Sequence, residues 1–185
     1  MKKPISHPTP AALITAALLL TTSFLQGCSG PAENTPPDSA ANLPEICNTL
    51  DSAIIAAVLE TENHTTEPMK ELATDVEGCK YLASDGSIPI KTFNFIRRME
   101  ATPDKAKTSY LKAVNVWQNS KMDNRELSYE QSIGDEAFWA YGEKTPQLIT
   151  YKNNILLIIT FGNLKNNNAE TLTKAKTLAT PLLQK

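Results

Sequence analysis

The densest run of chemically able side chains is Ile133-Gly134-Asp135-Glu136-Ala137-Phe138-Trp139-Ala140-Tyr141. Adjacent carboxylates beside aromatic rings suggest a paired-carboxylate site with an aromatic platform. General acid–base work by two carboxylates requires both to face one substrate, with their pKa values held apart. Neighbours in a strand point to opposite faces, so Asp135 and Glu136 converge only if a turn bends them together. The plainer reading is a Gly134-Asp135 turn leading into a strand that buries an aromatic face. In that strand Ala137, Trp139 and Tyr141 share one face, and Phe138 and Ala140 the other. Trp139 and Tyr141 each join a large apolar body to a polar handle, which suits binding surfaces and buried edges alike. They are the candidate binding residues, with plain core burial of Trp139 as the competing expectation.

His64 is the other candidate for chemistry. It lies in the polar run Thr61-Glu62-Asn63-His64-Thr65-Thr66 and reads as a solvated loop histidine. A hydrolytic triad needs a nucleophile held against its base, and no G-x-S-x-G turn accompanies it. No P-loop or G-x-G-x-x-G is present to cradle phosphate. The chain has 2 histidines, too few for a multi-histidine metal site. No catalytic residue, metal or cofactor is therefore assigned. With 18 Lys and Arg against 20 Asp and Glu, and a net charge of -2, there is no basic excess to hold a phosphate backbone, which argues against a nucleic-acid partner.

The cysteines fall into two groups, set apart by the start of the chain. Lys2 and Lys3 precede an uncharged run, Ala11 to Leu20, followed by Thr-Thr-Ser-Phe-Leu-Gln-Gly-Cys ending at Cys28. A charged start, a short apolar stretch and a small residue before a break are the parts of a secretory signal. The apolar run is about half of the roughly 20 residues that span a bilayer. Export places Cys47 and Cys79 in an oxidising compartment, where an even pair suggests a disulfide. Two free thiols or a two-cysteine metal site are the alternatives, the latter poorly served by one remaining histidine. Closing a loop of about 33 residues would contribute roughly 3–4 kcal/mol on the chain-entropy account.

Leu25-Gln26-Gly27-Cys28 resembles the lipobox of bacterial lipoprotein precursors. The resemblance implies a signal peptide over residues 1–27, cleavage before Cys28, and acylation of the Cys28 sulfur and amino group. With two or three acyl chains, such anchoring is stable. Ser29, standing where an aspartate marks retention in the inner membrane, points in that family to an outer membrane facing the periplasm, if the cell has two membranes. Removing residues 1–27 takes away Lys2 and Lys3 and no acid, so the formal charge moves from -2 to -4. An acidic surface is not drawn to anionic headgroups, so the lipid would have to supply the membrane contact.

Residues 28–42 hold the lipidated cysteine and a stretch rich in Pro, Ser, Ala and Asn that reads as a flexible tether. Its fourteen residues beyond Cys28 reach at most about 45–50 Å.

Residues 43–185 must fold. With 41% hydrophobic residues over 185, the chain supports one sizeable core. Pro44 suits a first helical position, and Ile46, Leu50, Ile54 and Val58 predict one helix running to Leu59. Residues 61–74 read as a polar loop. Strands are predicted over 76–83, 90–98, 128–133, 137–141, 147–152 and 154–161, with Lys152-Asn153-Asn154 as a tight turn. Thr102-Pro103-Asp104 starts a helix whose Ala106, Tyr110, Ala113, Val114 and Trp117 form an apolar stripe. Asn168 caps a last helix with Pro181 near its end. Ile155 to Phe161 is apolar on both faces and belongs in the middle of the sheet. Arg97 and Arg98 are placed at a sheet edge, where charge discourages pairing. Lys174 and Lys176 read as a solvated face. The expected fold class is α+β: a mostly antiparallel sheet with helices mainly on one face, in one domain with one disulfide. The order of elements hints at two related halves.

The Pro44-x-x-Cys47 helix start, a second cysteine on a strand, the Gly134-Asp135-Glu136-Ala137 segment and a terminal hairpin plus helix are similar to small cysteine-bridged lipoproteins of unknown function. That likeness implies a fold and a location, not an activity. The sequence as a whole reads as a lipid-anchored, non-enzymatic binding module of the cell envelope, attached to the membrane through its lipid, with a protein or small ligand as partner. An envelope inhibitor or immunity protein is the near alternative, and a small hydrolase using Asp135, Glu136 or His64 the distant one.

Overall fold

Seven strands form one antiparallel sheet in the order β1-β2-β3-β7-β6-β5-β4. The computed structural model describes residues 44–70, 72–120, 126–142, 145–164 and 167–184. The signal segment, Cys28 and the tether lie outside them. In chain order, a 3-10 turn (Glu45–Asn48) and α1 (Ser52–Leu59) precede β1 (His64–Pro68), β2 (Val76–Ala83) and β3 (Thr92–Met99). Next come α2 (Pro103–Asn119), β4 (Glu126–Glu130), β5 (Glu136–Tyr141), β6 (Gln147–Lys152), β7 (Ile155–Gly162) and α3 (Asn168–Leu182). This is the expected α+β class, with one domain and the Cys47–Cys79 disulfide across a sequence separation of 32.

β7 is the central strand, hydrogen-bonded to β3 on one side and β6 on the other. Its alternation explains why an all-apolar sequence was needed there. Leu157, Ile159 and Phe161 enter a core with Tyr81, Phe93, Phe95, Trp139 and Leu148, under the 3-10 turn, α1 and α3. Leu156 enters a second core with Phe138, Ile149 and Tyr151, under α2. Helices thus gather mainly on one face, and among the described residues α2 alone covers the other, over the β5–β7 part. The strand order reads alike from either end, and the strands it equates, β1 with β4, β2 with β5 and β3 with β6, run in the same direction because every neighbouring pair is antiparallel. A twofold axis along β7 would keep these directions and exchange the faces, and α1 and α2 do lie on opposite faces.

The first helix differs from its expectation. Instead of one helix from Pro44 to Leu59, the 3-10 turn ends at Asn48 and α1 starts afresh at Ser52, its N-cap Asp51 accepting from Ala53 N at 2.7 Å. Contacts with β2, distant in sequence, fix the turn. The Cys47 carbonyl, which a continuous α-helix would aim at residue 51, accepts from the Tyr81 hydroxyl at 3.0 Å. Cys47 itself is bonded to Cys79 on β2. The other helix starts follow the chemistry read from the sequence. Thr102 Oγ1 accepts from Lys105 N at 3.2 Å and caps α2. α3 is capped by Asn167 rather than Asn168, through Glu170 N at 2.9 Å, which frees the Asn168 amide for other work.

β1 falls within the polar span 61–74, whose composition predicts a loop. Its sequence His-Thr-Thr-Glu-Pro offers no apolar alternation because it is an edge strand, paired only with β2 among the described residues. Arg97 and Arg98, expected at a sheet edge, instead occupy β3, an inner strand. There Arg97 pairs with Glu77 of β2 at 2.8 Å, and Arg98 with Asp75 at 2.7 Å. The arginines cross-link neighbouring chain segments rather than blunting an edge. Lys174 and Lys176 are likewise engaged, Lys174 with Glu60 at 2.6 Å and Lys176 with Glu130 at 2.9 Å.

Candidate functional site

Gly134 sits at φ 63°, in the left-handed region that a side chain resists. A Cβ there would also strike the Tyr151 carbonyl and the Thr150 hydroxyl, so glycine is required where the chain presses on β6. The next residue is fastened at both ends. Asp135 N donates to Tyr151 O at 2.7 Å, and Asp135 Oδ2 accepts from Asn153 N at 2.8 Å. Asn153, at φ 53°, forms the tight turn between β6 and β7. Asp135 therefore braces one turn against another.

Glu136 takes a different direction. Its Oε1 accepts from Lys107 Nζ of α2 at 2.8 Å and from the Tyr151 hydroxyl at 3.1 Å. The Lys107 ammonium holds the carboxyl below its ordinary range, outweighing the desolvation that raises it, and the Tyr151 hydroxyl bond adds a smaller lowering. A general acid at neutral pH requires the opposite shift. The two carboxylates bind separate partners, one in a turn and one under α2, and the structure does not bring them to a common substrate position.

His64 is the first residue of β1, not a loop residue, and is half-buried opposite Ala83. Its Nδ1 is buried with no hydrogen-bond partner, so no serine or threonine is held against that nitrogen as a nucleophile would be.

Trp139 is 1% exposed, and this corrects its candidacy as a binding residue. Its indole N–H donates to Asn168 Oδ1 at 2.6 Å, and its ring packs against Tyr141 and Phe161. The physical reason is that α3 covers this face of β5 and supplies the polar partner that a buried indole needs. Tyr141 remains half-buried beside it. Trp117 is core as its stripe implied, its Nε1 donating to Gln147 Oε1 at 2.7 Å. No cluster of metal-ligating side chains occurs among the described residues.

Two surfaces escaped the sequence. An open cleft of about 540 Å³ lies between the 3-10 turn, the sheet and the end of α3, with Glu45, Glu77, Arg97 and Pro181 on its walls. The second is the flank where α2 overhangs β4. Lys107 reaches Glu136 of β5, and Gln118 donates to the Tyr129 hydroxyl of β4 at 2.9 Å. Leu111 falls between them on the same side of the helix. Leu111, Leu127 and Tyr129 are all exposed there, Tyr129 at 61%, and Tyr129 meets buried Phe138 edge-on at 5.3 Å. The sequence signal was present as Leu127 and Tyr129 alternating with Glu126, Ser128 and Glu130, but only the placement of α2 shows which side is left uncovered.

The Cys47–Cys79 bridge is the chemistry of an oxidising compartment. No helix among the described residues is long and apolar enough to cross a membrane. No protein-family model matches the chain, and none of the curated proteins does. Among solved structures, the extracellular domain of PknH from Mycobacterium tuberculosis matches with a TM-score of 0.46 at 12% identity, over 71% of this chain and 91% of that one. A GTP-binding regulator from Thermotoga maritima matches with a TM-score of 0.35 at 15% identity, over 73% of this chain and 91% of that one.

Proposed function

We propose that this chain is a lipid-anchored interaction module of the cell envelope, which holds a partner outside the cytoplasm and performs no reaction of its own. One observation carries the reading: the disulfide ties the 3-10 turn at the root of the tether to β2, joining an oxidised fold to a sequence that resembles a lipoprotein signal. The commitment of Asp135 and Glu136 to turn and helix contacts supports a binding role over hydrolysis.

The test has two parts. Lipidation at Cys28 is read by mass spectrometry and by partition of the protein into detergent, with Cys28→Ser abolishing both. In intact cells, cross-linking of the lipidated protein should give one stoichiometric product. A mature, unlipidated protein starting at another residue rejects the anchor. A hydrolytic activity that survives purification and disappears in Glu136→Gln, with the fold intact, rejects the binding role.

A further inference from the structure

β4 presents an edge that no other strand occupies among the described residues. Four of its five residues are exposed, and its two faces differ in chemistry. Leu127 and Tyr129 lie on the α2 side, continuous with Leu111. Glu126, Ser128 and Glu130 lie on the α3 side, where Glu126 bonds the uncharged amide of Asn168 and Glu130 meets Lys176 at 2.9 Å.

We propose that this edge takes up an extended segment of a partner protein as a further strand, one that alternates apolar and basic side chains. The inference rests on the interaction-module reading and names its surface. Backbone groups of an edge strand supply affinity without sequence preference, and alternate side chains supply the choice of partner. Residues directly opposite across a strand pair interact. Apolar side chains of the incoming strand would therefore cover Leu127 and Tyr129, and basic ones would meet Glu126 and the rim of Glu130. A second copy of this chain is the disfavoured occupant. Antiparallel self-pairing centred on Ser128 sets Glu126 against Glu130 twice, and like charges directly opposite are destabilising. The same carboxylates that repel a copy favour a basic strand.

The experiment uses the full lipidated chain in detergent, with a fluorescent peptide of about ten residues alternating valine and lysine, long enough for one strand. Saturable binding is expected, and hydrogen exchange should slow at the β4 amides and not at β1. A peptide alternating valine and glutamate should bind at least about tenfold more weakly. Leu127→Asp combined with Tyr129→Ser should lose about tenfold or more in affinity for the lysine peptide. Both positions are exposed, and an unchanged melting temperature shows that the fold persists. Equal affinity for the two peptides, slowed exchange elsewhere, no saturation up to about 1 mM, or dimerisation through β4 would each overturn the proposal. A cellular partner that cross-links to another surface also overturns it, while leaving the module reading intact. Peptide uptake at β4 by a protein that captures no cellular partner supports the surface and counts against the module reading.

Discussion

The two edges of the sheet are equally short, five residues each, yet they are closed by different means. β1 ends in Pro68, which has no N–H to offer. Its inward face packs under α1 and the 3-10 turn, and the strand behind it is bridged to that turn by Cys47–Cys79. β4 has neither proline nor an overlying bridge. It is held from its flanks by side chains: Asn168 on Glu126, Lys176 on Glu130 and Gln118 on Tyr129. One edge is shut by backbone chemistry and cover. The other is guarded by side chains, whose carboxylates repel some strands and attract others.

The largest expected effect falls on the β4 side. Trp139→Ala removes a buried indole and the anchor of Asn168, and should cost about 3–5 kcal/mol in denaturant unfolding. Hydrogen exchange should then quicken at β4 before β1. Uniform quickening would show that the two edges share one fate. Cys47→Ala addresses the other side and should cost about 2–5 kcal/mol, with reducing buffer giving an equal loss in the native chain and none further in the variant. A loosened β4 with an unchanged β1 would break the comparison.

Glu136→Gln should cost less, below about 1 kcal/mol, because its pairing with Lys107 is screened by water. The sign with pH follows from the lowered folded pKa. The contribution is present above the ordinary carboxylate value and is lost as pH falls through the folded value, so the native chain and the variant should converge in stability below about pH 4. The smallest effect on stability is expected from Pro68→Thr, within about 0.5 kcal/mol. It restores a donor to the β1 edge and should raise self-association in light scattering, sharpening the view that proline keeps that edge shut.

The parts of the fold legible in the sequence were those where one local signal met no competitor. The two-sided apolar run of β7 admits only a central position, and Thr102-Pro103-Asp104 satisfies the opening needs of α2 at once. β1 was hidden because its pattern is polar, its place being set by β2 rather than by burial. The split in the first helix was hidden because it depends on Tyr81, thirty-four residues beyond Cys47, claiming a carbonyl. The alternation of β5 was correctly readable, but not that both of its faces are covered. That depends on α2 and α3 taking opposite sides, which no residue of β5 encodes. The carboxylate pair was resolved only by its partners, Asn153 for Asp135 and Lys107 for Glu136.

The bridge also decides how the domain bears a pull. Pro44, where the described chain begins, lies three residues from Cys47. Tension applied along the N-terminal segment passes almost at once through the sulfurs into β2, a strand laced to β1 and β3 along its length. It reaches neither α1 nor its cap first. The load is spread over two ladders of hydrogen bonds instead of peeling a helix end residue by residue, so a pull on the N-terminal segment leaves the rest of the fold slack.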